Sequence, residues 1–136
     1  MSDHNDVVAR LVKQFEKKGF KVQTRNNNLP SSAKRDESIY RPDLIIRNRD
    51  DQIIYLVEVE TSEGGKAVVG AAILADICMK KMGVNNKPKL LFVFYKPESN
   101  LKLAEKRLKE LKNRVSYIQL VPALTENAAR ELIPHL

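Results

Sequence analysis

A single cysteine in 136 residues, Cys78, rules out an intramolecular disulfide and any zinc cluster built on cysteines. The two histidines, His4 and His135, stand near opposite ends of the chain and make no metal-ligand spacing. No apolar run approaches the roughly 20 residues that a membrane-spanning helix needs, so no membrane role is expected. The opening Met1-Ser2-Asp3-His4-Asn5-Asp6 is polar and acidic, unlike a secretory signal. With the lone cysteine, it predicts a reducing, cytoplasmic setting. Internal repeats and low-complexity tracts are missing too.

What the chain does have is positive charge. Lysine and arginine number 24 against 17 acidic residues, a formal net charge of +7 with a pI near 9.6. That balance favours a polyanionic partner, nucleic acid before membrane. Hydrophobic residues at 43% and charged residues at 30% predict a globular chain, one domain over 1–136, large enough to bury a core.

Val8, Leu11, Val12 and Phe15 recur at helical spacing, so a first helix is expected, capped by Ser2, Asp3 or Asn5 and stopped at Gly19. Phe20 to Thr24 alternates like a strand. Residues 25–40 then change to Asn, Ser, Pro and charge, a long loop carrying Arg25, Ser32, Lys34 and Arg35 and leading through Arg41 into Pro42-Asp43. Next come two apolar runs around Asn48 to Gln52, which read as a β-hairpin. A helix from about Lys66 to Lys80 follows, capped by Thr61 or Ser62 and ended by Gly83. Lys89 to Tyr95 is nearly all apolar, as in a central strand covered on both faces. Leu101 to Leu111 predicts a helix with a solvated basic surface, supported by Glu105/Lys109 and Glu110/Arg114 pairs. Val115 to Val121 reads as a strand, and Leu124 to Ile133 as a last helix capped by Thr125. The order α-β-β-β-α-β-α-β-α predicts an α/β fold: one three-layer domain with a central mixed sheet flanked by helices.

The hairpin carries the chemistry. Alternation sets Glu58 and Glu60 on one face with Ile54 and Leu56, and Val59 on the other. If Asn48 pairs with Ile53, the ladder running outward brings Asp43 opposite Glu58, with Cβ atoms roughly 5 Å apart. Two half-buried carboxylates so placed are unfavourable unless something neutralises them, and a hard divalent cation such as Mg²⁺ does so with oxygen ligands. The plainer alternative makes Asp43 a turn residue, and Glu58 and Glu60 a solvated strand end. Tyr40 reads as a packed loop anchor or a cover over the site.

Pro42-Asp43, followed by a hydrophobic hairpin strand ending Glu58-Val59-Glu60, resembles the PD-(D/E)xK nuclease superfamily, whose core is α-β-β-β-α-β. Ser31-Ser32-Ala33-Lys34-Arg35 and the helix ending Lys17-Lys18-Gly19-Phe20 are most similar to archaeal-type Holliday junction resolvases and related restriction-endonuclease-like proteins. The resemblance spans residues 1 to about 95. It implies a metal-dependent DNA endonuclease, one acting on branched DNA among the options, working as a homodimer with Mg²⁺ or Mn²⁺. Asp43 and Glu58 would be the metal ligands, with the Val59 carbonyl as a third. Glu60 occupies the position where the family normally has lysine; there it could accept a proton from the attacking water or hold a second cation. Lys66 could supply the missing positive charge from the following helix. The acid that family resolvases place on the first helix would be Asp6 or Glu16. Arg25, Ser32, Lys34, Arg35 and Arg41 would grip the nucleic-acid backbone. Two further readings share the fold: a non-catalytic nucleic-acid-binding or assembly protein, kept open by Glu60, and an RNA-processing nuclease.

Overall fold

Asp3 starts the first helix, α1 (His4–Lys17), through a capping box: its side chain accepts from the Asp6 N–H, and Asp6 reaches back to the Asp3 N–H. The computed structural model describes residues 3–30, 38–61, 65–95 and 101–136. Val7, Leu11 and Phe15 form the buried stripe of α1, with Val8 and Val12 half-buried beside it. Gly19 ends the helix at φ +88°, a left-handed conformation that costs glycine little. Gly83 does the same, at φ +70°, after α2 (Gly65–Lys81). The latter helix begins four residues past Thr61, and Ser62 lies outside the described residues.

The molecule is α/β, with a mixed sheet of six strands between two pairs of helices. Strands β1 (Lys21–Gln23), β2 (Leu44–Arg47) and β3 (Ile53–Glu60) form an antiparallel meander, and β4 (Lys89–Phe94) joins β3 in parallel. Two short strands, β5 (Gln119–Leu120) and β6 (Leu124–Thr125), both pair with β4 in parallel, one at each end. Between α2 and α3 (Leu101–Leu111) and one sheet face lie Ile45, Leu56, Leu90, Phe92 and Phe94. The other face, with Leu44, Ile46, Val57, Val59 and Val93, packs against α1 and α4 (Glu126–Leu132), a short helix that runs into a 3-10 turn. Arg10 of α1 ties to Glu126 of α4, its Nη2 donating to Oε1 at 3.0 Å. Among the described residues, no helix is long and apolar enough to cross a membrane.

Two expectations need correction. Leu44 pairs with Val57, Ile45 with Leu56 and Ile46 with Tyr55, but the next pair is Arg47 with Ile53, not Asn48 with Ile53. A β-bulge at Ile54 absorbs the extra residue. Ile53 consequently shares the cluster of Leu56, while Ile54 packs on the opposite face with Tyr55. The second concerns the expected strand over Val115 to Val121, which pairs only at Gln119–Leu120. Asp76 of α2 accepts from the N–H groups of Ser116 and Tyr117 at 2.9 and 2.7 Å, so these leave the ladder. Pro122 has no N–H to donate, and pairing resumes only at Leu124, where a helix start was expected. Thr125 still caps α4, accepting from the Ala128 N–H at 3.1 Å. Among the described residues the salt bridges His4–Asp43, Arg10–Glu126, Lys21–Asp51 and Arg47–Asp51 form, and the predicted Glu105/Lys109 and Glu110/Arg114 pairs are not among them.

Candidate metal centre

One edge of the sheet collects the acidic groups. Parallel strands β3 and β4 end there, antiparallel β2 begins there, and α1 starts beside it, because His4 lies against Asp43. Ligands of open α/β sheets gather in the crevice outside the carboxyl ends of parallel strands. The crossover from β3 to β4 also requires α2 to begin on this edge, turning the positive end of its dipole toward it.

Continuing the register one residue beyond Leu44 and Val57 sets Asp43 opposite Glu58, as the alternation requires. The Asp43 N–H donates to Glu58 Oε1 at 3.3 Å, and the Tyr40 hydroxyl donates to Glu58 Oε2 at 3.1 Å. Asp43 Oδ2 accepts the Val59 N–H at 2.8 Å, and its Oδ1 lies 3.3 Å from His4 Nε2. Backbone N–H and C=O of one strand residue point to the same side, so the Val59 carbonyl is turned to the β2 side of β3, as its N–H is. Glu58 is only 9% exposed, which removes the solvated-strand-end alternative for this residue. Burial, followed by the negative charge of Asp43, pushes the Glu58 carboxyl up to about 8 against the restraint of its two hydrogen bonds. Burial and Asp43 also raise Glu60, opposed by His4. Tyr40 is driven well above the usual phenol range, first by burial and then by Glu58.

A carboxylate pair of this kind is neutralised by a proton or by a cation. Its free lone pairs are carboxylate and carbonyl oxygens, the donor set of Mg²⁺ and Mn²⁺, which bind through one or two carboxylates and keep several waters. Among the described residues no three His, Cys, Asp or Glu side chains form a ready ligand cage, so the protein's own donors come as the pairs Asp43/Glu58 and Asp43/His4. This donor set fits a partly hydrated hard cation.

The other predicted site residues distribute unevenly. Arg25 is exposed two residues past β1, whose last residue Gln23 pairs with Ile45. Arg41 is exposed next to buried Pro42, and Lys66 is exposed in the first turn of α2. Asp6 joins the α1 capping box, and Glu16 lies twelve residues past His4, about 18 Å along the helix from the residue that meets Asp43. Ser32, Lys34 and Arg35 lie outside the described residues. The long loop is anchored at both ends: Leu29 and Tyr40 pair as an antiparallel bridge and both enter the core.

His4 and Asn27 escaped the sequence reading. Asn27, 3% exposed, donates through Nδ2 to the carbonyls of Pro42 at 3.0 Å and Asp43 at 2.9 Å. It thereby fixes the backbone from which Asp43 projects. Asn27→Ala is expected to lower stability by about 2 kcal/mol in urea unfolding, because both carbonyls lose their donor. An unchanged midpoint would show that water replaces it. Its place in an Asn-rich loop gave no signal for this, and His4 gave none beyond standing at a helix start.

Grooves of about 400 and 310 Å³ flank α3, the first lined by Leu108, Lys109, Lys112, Leu120 and Pro122, the second by Val69, Lys106, Arg107 and Leu111. Neither is lined by the acidic cluster. Comparison with protein-family models, with curated proteins and with solved structures finds no match for this chain.

Proposed function

We propose that this chain is a metal-dependent nuclease that hydrolyses phosphodiester bonds in DNA, branched DNA included, by the chemistry of the PD-(D/E)xK enzymes. The observation that carries the reading is buried Glu58 set against half-buried Asp43 at the carboxyl edge of the sheet, joined through the Asp43 N–H at 3.3 Å. Asp43, Glu58 and the Val59 carbonyl would hold Mg²⁺ or Mn²⁺. Such an ion, when bound, lowers the pKa of water and offsets charge on the phosphate. The chain's own residues do the rest. The Val59 N–H orients Asp43, and Tyr40 with the Asp43 N–H orients Glu58, so both carboxylates are preorganised. Glu60, half-buried and raised in pKa by burial and Asp43, would accept a proton from the attacking water. Arg25, Arg41 and Lys66 supply exposed cations around the edge for phosphate contacts. Binding through phosphates with a net charge of +7 should weaken steeply with salt. A homodimer is part of the proposal, since two protomers cut two strands. So is a reducing, cytoplasmic setting, which suits the free, buried Cys78.

Glu60 favours one second reading, a nucleic-acid-binding protein without catalysis, because it stands where lysine would face the phosphate. The test incubates purified protein with labelled four-way junction, linear duplex, single-stranded DNA and RNA in Mg²⁺, Mn²⁺ or EDTA. Cleavage in metal and none in EDTA is expected, and the preferred substrate then separates junction, duplex and RNA chemistry. Salt-sensitive binding with no cleavage in either metal would replace the nuclease with the binding protein.

A further inference from the structure

We propose that His4 is a further ligand of the cation held by Asp43, and that its ring nitrogen makes the site prefer Mn²⁺ and neighbouring transition ions over Mg²⁺. The inference rests on the metal-site reading above and adds to it the identity of the ion. The contacts of Asp43 lead to His4. Asp43 Oδ2 accepts the Val59 N–H at 2.8 Å and each Glu58 oxygen accepts one hydrogen bond, which leaves each of them a second lone pair for a cation. Asp43 Oδ1 faces His4 Nε2, at 3.3 Å. Adjacent donors on an octahedral ion with bonds near 2.1 Å are about 3 Å apart, so the pair is spaced as two neighbouring ligands of one ion.

Position argues the same way. His4 is the first residue of α1, and the Asp3–Asp6 capping box fixes that end of the helix. The imidazole stands edge-on to Tyr95, with ring centroids 6.4 Å apart, which limits its rotation about the site. Nitrogen ligands discriminate between ions more sharply than carboxylates. Imidazole suits first-row transition metals, whereas Mg²⁺ takes oxygen almost to the exclusion of nitrogen. A site that adds one imidazole to the Asp43 carboxylate therefore gains affinity for Mn²⁺ or Co²⁺ that it does not gain for Mg²⁺. An ordinary His–Asp ion pair, by contrast, would be lost when any cation enters and would leave no such preference.

The test is isothermal calorimetry of the full chain with Mn²⁺ and with Mg²⁺, using wild type, His4→Ala and Asp43→Asn, with circular dichroism to confirm folding. His4→Ala should weaken Mn²⁺ binding about tenfold and leave Mg²⁺ within about twofold, the loss of one nitrogen ligand. Asp43→Asn should remove both. A second readout uses Co²⁺ as probe: a directly bound imidazole gives a ring N–H proton resonance shifted far outside the diamagnetic range, expected in wild type and absent in His4→Ala. If Asp43→Asn abolishes binding but His4→Ala changes neither the Mn²⁺ to Mg²⁺ ratio nor the Co²⁺ spectrum, His4 is not a ligand and the Asp43–Glu58 site stands. Binding unaffected by Asp43→Asn would overturn the site itself, and this inference with it.

Discussion

Glu58→Gln is expected to make the metal-free protein more stable than wild type above pH 8 while removing its capacity to hold a divalent cation. The sign follows from where the proton resides. In the unfolded chain Glu58 ionises near its ordinary value of 4.5, whereas in the fold burial and Asp43 hold it protonated up to about 8. Below pH 4.5 both states carry the proton and the residue contributes no pH dependence. Between 4.5 and 8 the folded state binds more protons than the unfolded one, so stability falls as pH rises, and above 8 it levels off. The full decline from this residue is on the order of 5 kcal/mol. Glutamine has no proton to lose and keeps both polar contacts, its carbonyl accepting from the Asp43 N–H and its amide donating to the Tyr40 oxygen. Urea unfolding at pH 5 and pH 9, both in EDTA, should therefore show a steep pH dependence in wild type and a shallower one in the variant, with Glu60 supplying the remaining slope. Equal slopes in the two proteins would mean that Glu58 is ionised in the fold at neutral pH.

Asp43→Asn is expected to lower the metal-dependent cleavage rate at least ~10³-fold, the scale of losing a charged group that acts on the reacting phosphate. Nucleic-acid binding in EDTA should persist, because the exposed cations Arg25, Arg41 and Lys66 are untouched. The substitution is isosteric, and the amide oxygen can still accept the Val59 N–H, so folding should survive. Cleavage within tenfold of wild type would remove Asp43 from the chemistry. Loss of binding together with cleavage would instead locate its role in holding the nucleic-acid surface. Together the two substitutions separate charge from shape: each keeps the hydrogen-bonded frame, Asp43→Asn removing a carboxylate and Glu58→Gln removing a group that burial keeps protonated up to about 8.

The facing of Asp43 and Glu58 was legible because it depends on local rules, the alternation of side chains along two apolar strands and a short connection between them. It survived an error at the hairpin tip. The bulge at Ile54 shifted the pairs nearest the turn, yet Leu44 and Val57 kept the register that the inner strand pattern required. Helix stops at Gly19 and Gly83 and the cap at Thr125 were readable for the same reason, each being set by one residue's backbone or side chain. What could not be read depends on contacts between distant segments. Asp76 draws the N–H groups of Ser116 and Tyr117 out of a strand that their composition favours. Asn27 is spent on the carbonyls of Pro42 and Asp43, and no pattern in an Asn-rich loop reveals that. Asp6 fitted the expected place of a helix acid, but capping consumed it, and the residue that meets Asp43 from the first helix is His4.

Asp43 and Glu58 together are proposed to hold a divalent cation. Electron paramagnetic resonance titration of Mn²⁺ into the purified protein counts bound ions directly, without depending on any substrate. Wild type should take up at least one Mn²⁺ per chain at micromolar to low millimolar concentrations, and Asp43→Asn and Glu58→Gln should each abolish that site. A wild-type protein that leaves all the Mn²⁺ free, or variants that bind as many ions as wild type, would contradict it.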